Sequence, residues 1–180
     1  MKFTPTEIPE VLLIEPKVFR DARGFFLEDY RKDAFAAQGL RADFVQDNHS
    51  LSLKGALRGL HYQVAPKAQA KLVRVVRGEV FDVVVDIRPG SKTFGRHVSE
   101  VLTAENKKML FVPAGFAHGY LTLSDEAEFL YKVSAYYSPE HERGLRWDDP
   151  ALGIRWPKLE APYLFSEKDK KFPGLKESKF

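Results

Sequence analysis

No cysteine occurs in the 180 residues, so disulfides, thiolate nucleophiles and cysteine-held metals are excluded. Long apolar runs are missing too. No segment reaches the roughly 20 apolar residues that a membrane helix needs. The start, MKFTPTEIPEVLLIEPKVF, carries neither an apolar signal core nor a cleavage site. A soluble, cytoplasmic protein is therefore expected. Charge of one sign is scarce: the formal net charge is +3, and basic groups such as KDKK stand among acidic ones. That surplus suits an anionic small ligand and is too small and scattered for a nucleic-acid surface. Repeats, linkers and low-complexity blocks are absent, so a single domain over residues 1–180 is expected. A chain of this length buries about 70% of its unfolded surface and needs no covalent staples.

What the sequence has is β pattern. EVFDVVVDI alternates, with Phe81, Val83, Val85 and Ile87 on one face and Asp82, Val84 and Asp86 on the other. KLVRVV precedes it across a short glycine turn, which predicts a hairpin. Further strand candidates are VLLIE, GFFLEDY, DFVQDNHSLSL, ALRGLHYQ, HVSEVLT, KKMLFVP, HGYLTLS and AEFLYKVSAYY. RKDAFAAQG predicts one short helix ending at Gly39, and the tail after Pro157 predicts little beyond a helical turn near Ser166. About ten short strands with one minor helix imply a β-sandwich or barrel, whose mouth is a natural pocket for a small molecule.

Polar residues on apolar strand faces are the next signal. Tyr131 shares a face with Phe129, Val133 and Ala135; Lys71 with Val73 and Val75; His61 with Leu57, Gly59 and Gln63. Singly, each has an ordinary structural explanation: a satisfied core tyrosine, a structural histidine, a lysine that snorkels to water. Burial of an unpaired ammonium is costly, however, and three such residues together point to a pocket.

FVPAGFAHG contains P-x-G-x-x-H at Pro113, Gly115 and His118, which resembles the second motif of the cupin superfamily of jelly rolls. The first motif of metal-binding cupins supplies H-x-H with a glutamate nearby. Here the corresponding stretch is LHYQ, with Gln63 in place of the second histidine and no glutamate before Glu79. Two histidines fall short of the three or four ligands of a stable site, so no metal is expected.

Over Ile8 to Asp169 the chain resembles the dTDP-4-dehydrorhamnose 3,5-epimerase family. The resemblance is carried by DARGFFLEDY, FVQDNHS, LRGLHYQ, AKLVRVVRGEVFDVVVDIR, TFG, LTAENKKMLFVPAGFAHG, AEFLYKVSAYYSPEHE and SEKD. It implies an all-β double-stranded β-helix with a short helix and an irregular tail, its core over about residues 43–137. It implies a catalytic base at His61, its carboxylate partner at Asp169, an acid at Tyr131 and a pocket lysine at Lys71. It implies substrate contacts at Arg23, Glu28, Gln46, Asp47, Asn48, Arg58, His118, Glu142 and Lys168, and a thymine-stacking ring at Tyr137. No cofactor is implied. The family's homodimer would place strands within residues 8–31 at the partner, with Arg23 and Glu28 serving the neighbouring pocket. The implied reaction inverts C3 and C5 of dTDP-4-dehydro-6-deoxy-D-glucose. The alternatives are inversion at one carbon of a related dTDP-keto sugar, a metal-dependent cupin, or a binding module without turnover. Arg58 fits poorly: on a regular strand it faces away from His61. Either Gly59 permits a bulge or Arg58 meets the ligand from the dimer side.

Overall fold

The alternation of β8 (Glu79–Asp86) sets the layering of the computed structural model, which describes residues 1–40 and 42–180. Val80 and Val84 turn into the space between two sheets with Phe116, Phe129, Val73 and Leu110. Phe81, Val83 and Val85 turn outward, and there they are covered as well, by Leu145, Leu152 and the indole of Trp156. The first sheet has the order β1 (Lys2–Pro5), β2 (Leu12–Glu15), β10 (Met109–Val112), β7 (Lys71–Arg77), β12 (Glu126–Val133), β5 (Gln46–Leu53). The second has the order β13 (Glu142–Gly144), β6 (Leu57–Gln63), β11 (Phe116–Thr122), β8, β9 (His97–Thr103). All pairings are antiparallel. The result is the expected double-stranded β-helix. Its sheets take in β1, β2 and β13, and so reach beyond residues 43–137.

A short ladder, β3 (Val18–Asp21) with β4 (Gly24–Leu27), pairs only with itself and exposes Phe19, Phe25 and Phe26. The five-residue helix α1 (Lys32–Ala36) has no side-chain cap, and a helix this short is unstable alone. Phe35 holds it down: the ring is buried and meets Phe3 and Tyr30 edge-on at 5.2 and 5.0 Å. Two single turns of 3₁₀ helix, Asp169–Lys171 and Leu175–Glu177, end the chain. Among the described residues no helix is long and apolar enough to cross a membrane.

The expected hairpin of KLVRVV and EVFDVVVDI does not form. β7 pairs with β10 and β12, whereas β8 pairs with β11 and β9. One glycine, Gly78 at φ +75°, turns the chain from one sheet to the other, and a Cβ there would lie 2.1 Å from the Glu126 carbonyl oxygen. A hairpin turn and a corner between sheets share the same local signal; what separates them is the partner each strand finds farther along the chain.

The Arg58 question is answered by a bulge. Tyr120 faces Arg58 and His118 faces His61, so two steps along β11 match three along β6. Arg58 and His61 therefore lie on one face, and Leu57, opposite Leu121, leaves the face that strict alternation assigned it. Gly59 makes this possible. Its φ is +131°, and a Cβ would stand 2.6 Å from the Gly119 Cα. Gly59→Ala is expected to cost about 2–5 kcal/mol, the sum of backbone strain and overpacking, read as a lowered urea midpoint with unchanged m.

Candidate active site

Both sheets send polar side chains into the same end of the sandwich. From the second sheet come Arg58 and His61 on β6, Asp82 on β8, and His118 and Tyr120 on β11. From the first come Lys71 on β7, Tyr131 on β12, and Gln46, Asn48 and Ser50 on β5. They line two adjoining cavities of about 280 and 240 Å³ that share His61, Lys71, Tyr131, Tyr137 and Glu142. His61 and Tyr131 thus border the same space from opposite sheets.

The His61 Nε2 stands 2.6 Å from Oδ1 of Asp169. Asp169 is buried in the first 3₁₀ turn, where its backbone N–H donates to Ser166 Oγ at 3.1 Å. Burial alone would raise its pKa. The hydrogen bond from His61, the charge of His61, the Ser166 bond and nearby Lys168 outweigh that and hold the carboxyl below its usual range. An ionised Asp169 accepts a proton-bearing Nε2 and leaves Nδ1 with its lone pair. That nitrogen makes no hydrogen bond among the described residues. The ring of Phe172 meets the imidazole edge-on at 5.4 Å.

Lys71 is buried, and burial pulls its pKa down to about 8 against the opposing pull of Asp82 and Glu142. Its Nζ donates to the His61 carbonyl oxygen at 3.3 Å. Tyr131 is the reverse case: burial, aided by Tyr120, pushes its phenol up, with Arg58 pulling the other way. Among the described residues its hydroxyl has no hydrogen-bond partner.

His118 donates through Nε2 to Asp82, 2.9 and 3.0 Å from its two oxygens, and Asp82 is fully buried. Arg58 is pinned by Ser52 Oγ at 2.8 Å and the Leu51 carbonyl at 3.1 Å. At the mouth, the Tyr137 hydroxyl donates to Glu142 Oε2 at 2.6 Å, and Lys168 pairs with the same oxygen. Burial raises the Glu142 pKa, but the bonds from Lys168 and Tyr137 bring it below the ordinary value. Among the described residues no three His, Asp or Glu side chains group as metal donors.

Three expected contacts lie elsewhere in a single chain. Asp47 alternates with Gln46 and Asn48 and pairs with Lys132 at 3.0 Å on the outer face of the first sheet. Arg23 sits at the tip of the β3–β4 ladder, bound to Asp21 at 2.6 Å, and Glu28 lies exposed, 3.7 Å from Arg31. Conversely, sequence reading passed over Asp82, Tyr120, Ser50 and Phe172. Asp82 carried a usable signal, a carboxylate within a run of valines. Its neighbour Asp86 carried the same signal but serves the fold, accepting from Arg88, Ser91 and Thr93.

A family model described as dTDP-4-dehydrorhamnose 3,5-epimerase matches residues 5–177. The chain is 58% identical over 171 residues to the dTDP-4-dehydrorhamnose 3,5-epimerase of Pseudomonas aeruginosa strain PAO1, covering 94% of this chain and 93% of that one. It superposes on the crystal structure of dTDP-6-deoxy-D-glucose-3,5-epimerase from Legionella pneumophila Philadelphia 1, in complex with dTDP-4-keto-L-rhamnose. There the TM-score is 0.95 at 47% identity, with 98% and 93% of the two chains covered. A 3'-monoepimerase from Streptomyces bikiniensis, in complex with dTDP-quinovose, is similar at 38% identity and TM-score 0.88, with 96% and 87% covered.

Proposed function

The chain belongs to the dTDP-4-dehydrorhamnose 3,5-epimerase family, and from that premise we propose how its residues invert C3 and C5 of dTDP-4-dehydro-6-deoxy-D-glucose to give dTDP-4-dehydro-L-rhamnose. The observation that carries the reading is the approach of His61 and Tyr131 to one cavity from opposite sheets, with Lys71 beside them.

The hydrogens on C3 and C5 both flank the C4 ketone, so removal of either leaves an enolate. Nδ1 of His61 takes the proton, and Asp169 steadies the imidazolium that results. The negative charge moves to the C4 oxygen, where the Lys71 ammonium and His118, held by Asp82, meet it. The Tyr131 hydroxyl delivers a proton to the opposite side of the carbon, which inverts it. Solvent then reprotonates the phenolate and takes up the proton from His61, so the cycle closes with no redox change and no metal. Arg58 and Lys168 bind the diphosphate, Gln46, Asn48 and Glu142 contact the nucleotide-sugar, and Tyr137 stacks on the thymine. We place Arg23, Glu28 and Asp47 at a partner subunit's pocket in a homodimer. The detached β3–β4 ladder and its exposed phenylalanines support that placement. A nucleotide-sugar substrate supports a cytoplasmic location.

The test is incubation with the keto sugar in heavy water. Two deuterons at C3 and C5 of an L-rhamno product, seen by NMR, are expected. One inverted carbon would make the protein a monoepimerase, and no exchange would overturn the assignment.

Lys71 gives a second test. Its ammonium persists below a pH of about 8 and is lost as pH rises through that value, so kcat is expected to fall on that limb. Because the folded pKa lies below the unfolded one, the charged lysine costs stability. That cost is present in full below about pH 8 and fades as pH rises toward the unfolded value. Lys71→Met should therefore melt higher than wild type at pH 7 while turning over about 10²–10³-fold more slowly.

A further inference from the structure

We propose that Gln63, at the position where metal-binding cupins carry a histidine, is a positioning residue that clamps the loop bearing Tyr137, with Gln69 and Gln46 as its companions. The inference rests on the reading of Tyr137 as the ring that stacks on the nucleotide base.

The loop after β12 has few backbone partners of its own, and side-chain amides serve it instead. Gln69 donates to the Ala135 carbonyl at 2.7 Å. Gln63 Nε2 donates to the Tyr136 carbonyl at 3.3 Å and to that of Lys67 at 2.6 Å. Gln46 Oε1 accepts from the Tyr137 N–H at 3.0 Å, and Gln63 Oε1 accepts from the Ser138 N–H at 2.7 Å. Four consecutive residues are thus gripped by three of the four glutamines in the chain.

Gln63 is the centre of this arrangement. It is 5% exposed, and both ends of its amide are bonded. The Ser138 that it anchors accepts from the N–H groups of His141 and Glu142. That turn brings Glu142 beside β6, opposite Gln63, where its carboxylate receives the Tyr137 hydroxyl. One side chain therefore sets both the root and the tip of the tyrosine. Neither histidine nor an apolar residue offers an acceptor and two donor hydrogens in one plane.

The experiment is calorimetric titration with dTDP of the wild type, Tyr137→Ala, Gln63→Leu, Gln69→Leu and the double variant Gln63→Leu/Tyr137→Ala. Tyr137→Ala and Gln63→Leu are each expected to weaken dTDP about tenfold, what an ordinary buried hydrogen bond or stacking contact commands. Gln69→Leu should act in the same direction. The double variant should bind no more weakly than Tyr137→Ala alone, because the clamp acts through that ring. KM for the keto sugar should rise in Gln63→Leu with kcat within about twofold of wild type. Wild-type affinity in Gln63→Leu, or losses that multiply in the double variant, would overturn the clamp. Wild-type affinity in Tyr137→Ala would instead sink the stacking role, and the inference with it, in an arm that leaves the glutamines untouched. Should Gln63→Leu fail to fold, the same cycle with Gln69→Leu decides.

Discussion

The His61→Ala variant, incubated with the keto sugar in heavy water, is expected to leave the C3 and C5 hydrogens in place. Loss of a general base slows proton transfer about 10²–10⁴-fold, and here one nitrogen is asked to serve both carbons. No other group is placed to substitute. Nε2 of His118 is committed to Asp82, Glu142 already accepts from Tyr137 and Lys168, and Asp169 lies behind the histidine that it holds. Nucleotide binding should survive, since His61 touches the sugar ring rather than the diphosphate. Deuterium exchange at either carbon at the wild-type rate would end the assignment of His61 as base.

Tyr131→Phe should separate the two halves of the reaction. Abstraction by His61 stays possible, so exchange continues, but the proton returns from the side it left. Inversion is expected to fall about 10²–10⁴-fold while washout of the hydrogens falls much less. The phenol suits the task because burial keeps it protonated, and it lacks a hydrogen-bond partner among the described residues that would hold the proton back. Phenylalanine preserves the packing against Phe129, whose ring lies 6.0 Å away, so stability should barely change. Equal loss of exchange and inversion would show that Tyr131 assists abstraction instead.

The strands were legible because each is two-sided. Alternation in EVFDVVVDI and AEFLYKVSAYY marked β8 and β12, and the face shared by Phe129, Tyr131 and Val133 is the one the structure turns to the cavity. Sheet membership was not legible, since Gly78 leaves the same mark whether it closes a hairpin or turns a corner. The partnership of His61 with Asp169, 108 positions away along the chain, was implied by family resemblance alone. No local pattern announces that a turn near the end of the chain will fold back beneath a strand. Asp82 was overlooked because a carboxylate in a strand is ordinarily read as facing water. The glutamines were overlooked because an amide side chain has no meaning until the backbone it grips is known. Gly59 was the informative residue at Arg58: it marked the bulge as an option, and the register of β6 against β11 chose it.

The two sheets are complete once β13 ends at Gly144, yet the carboxylate that orients the base arrives only at residue 169. During synthesis the barrel can close while the terminal segment is still inside the ribosome, and the enzyme stays silent until that segment docks. A protease that nicked the exposed stretch around Glu160 would likewise leave a well-folded shell that still grips dTDP and does no chemistry.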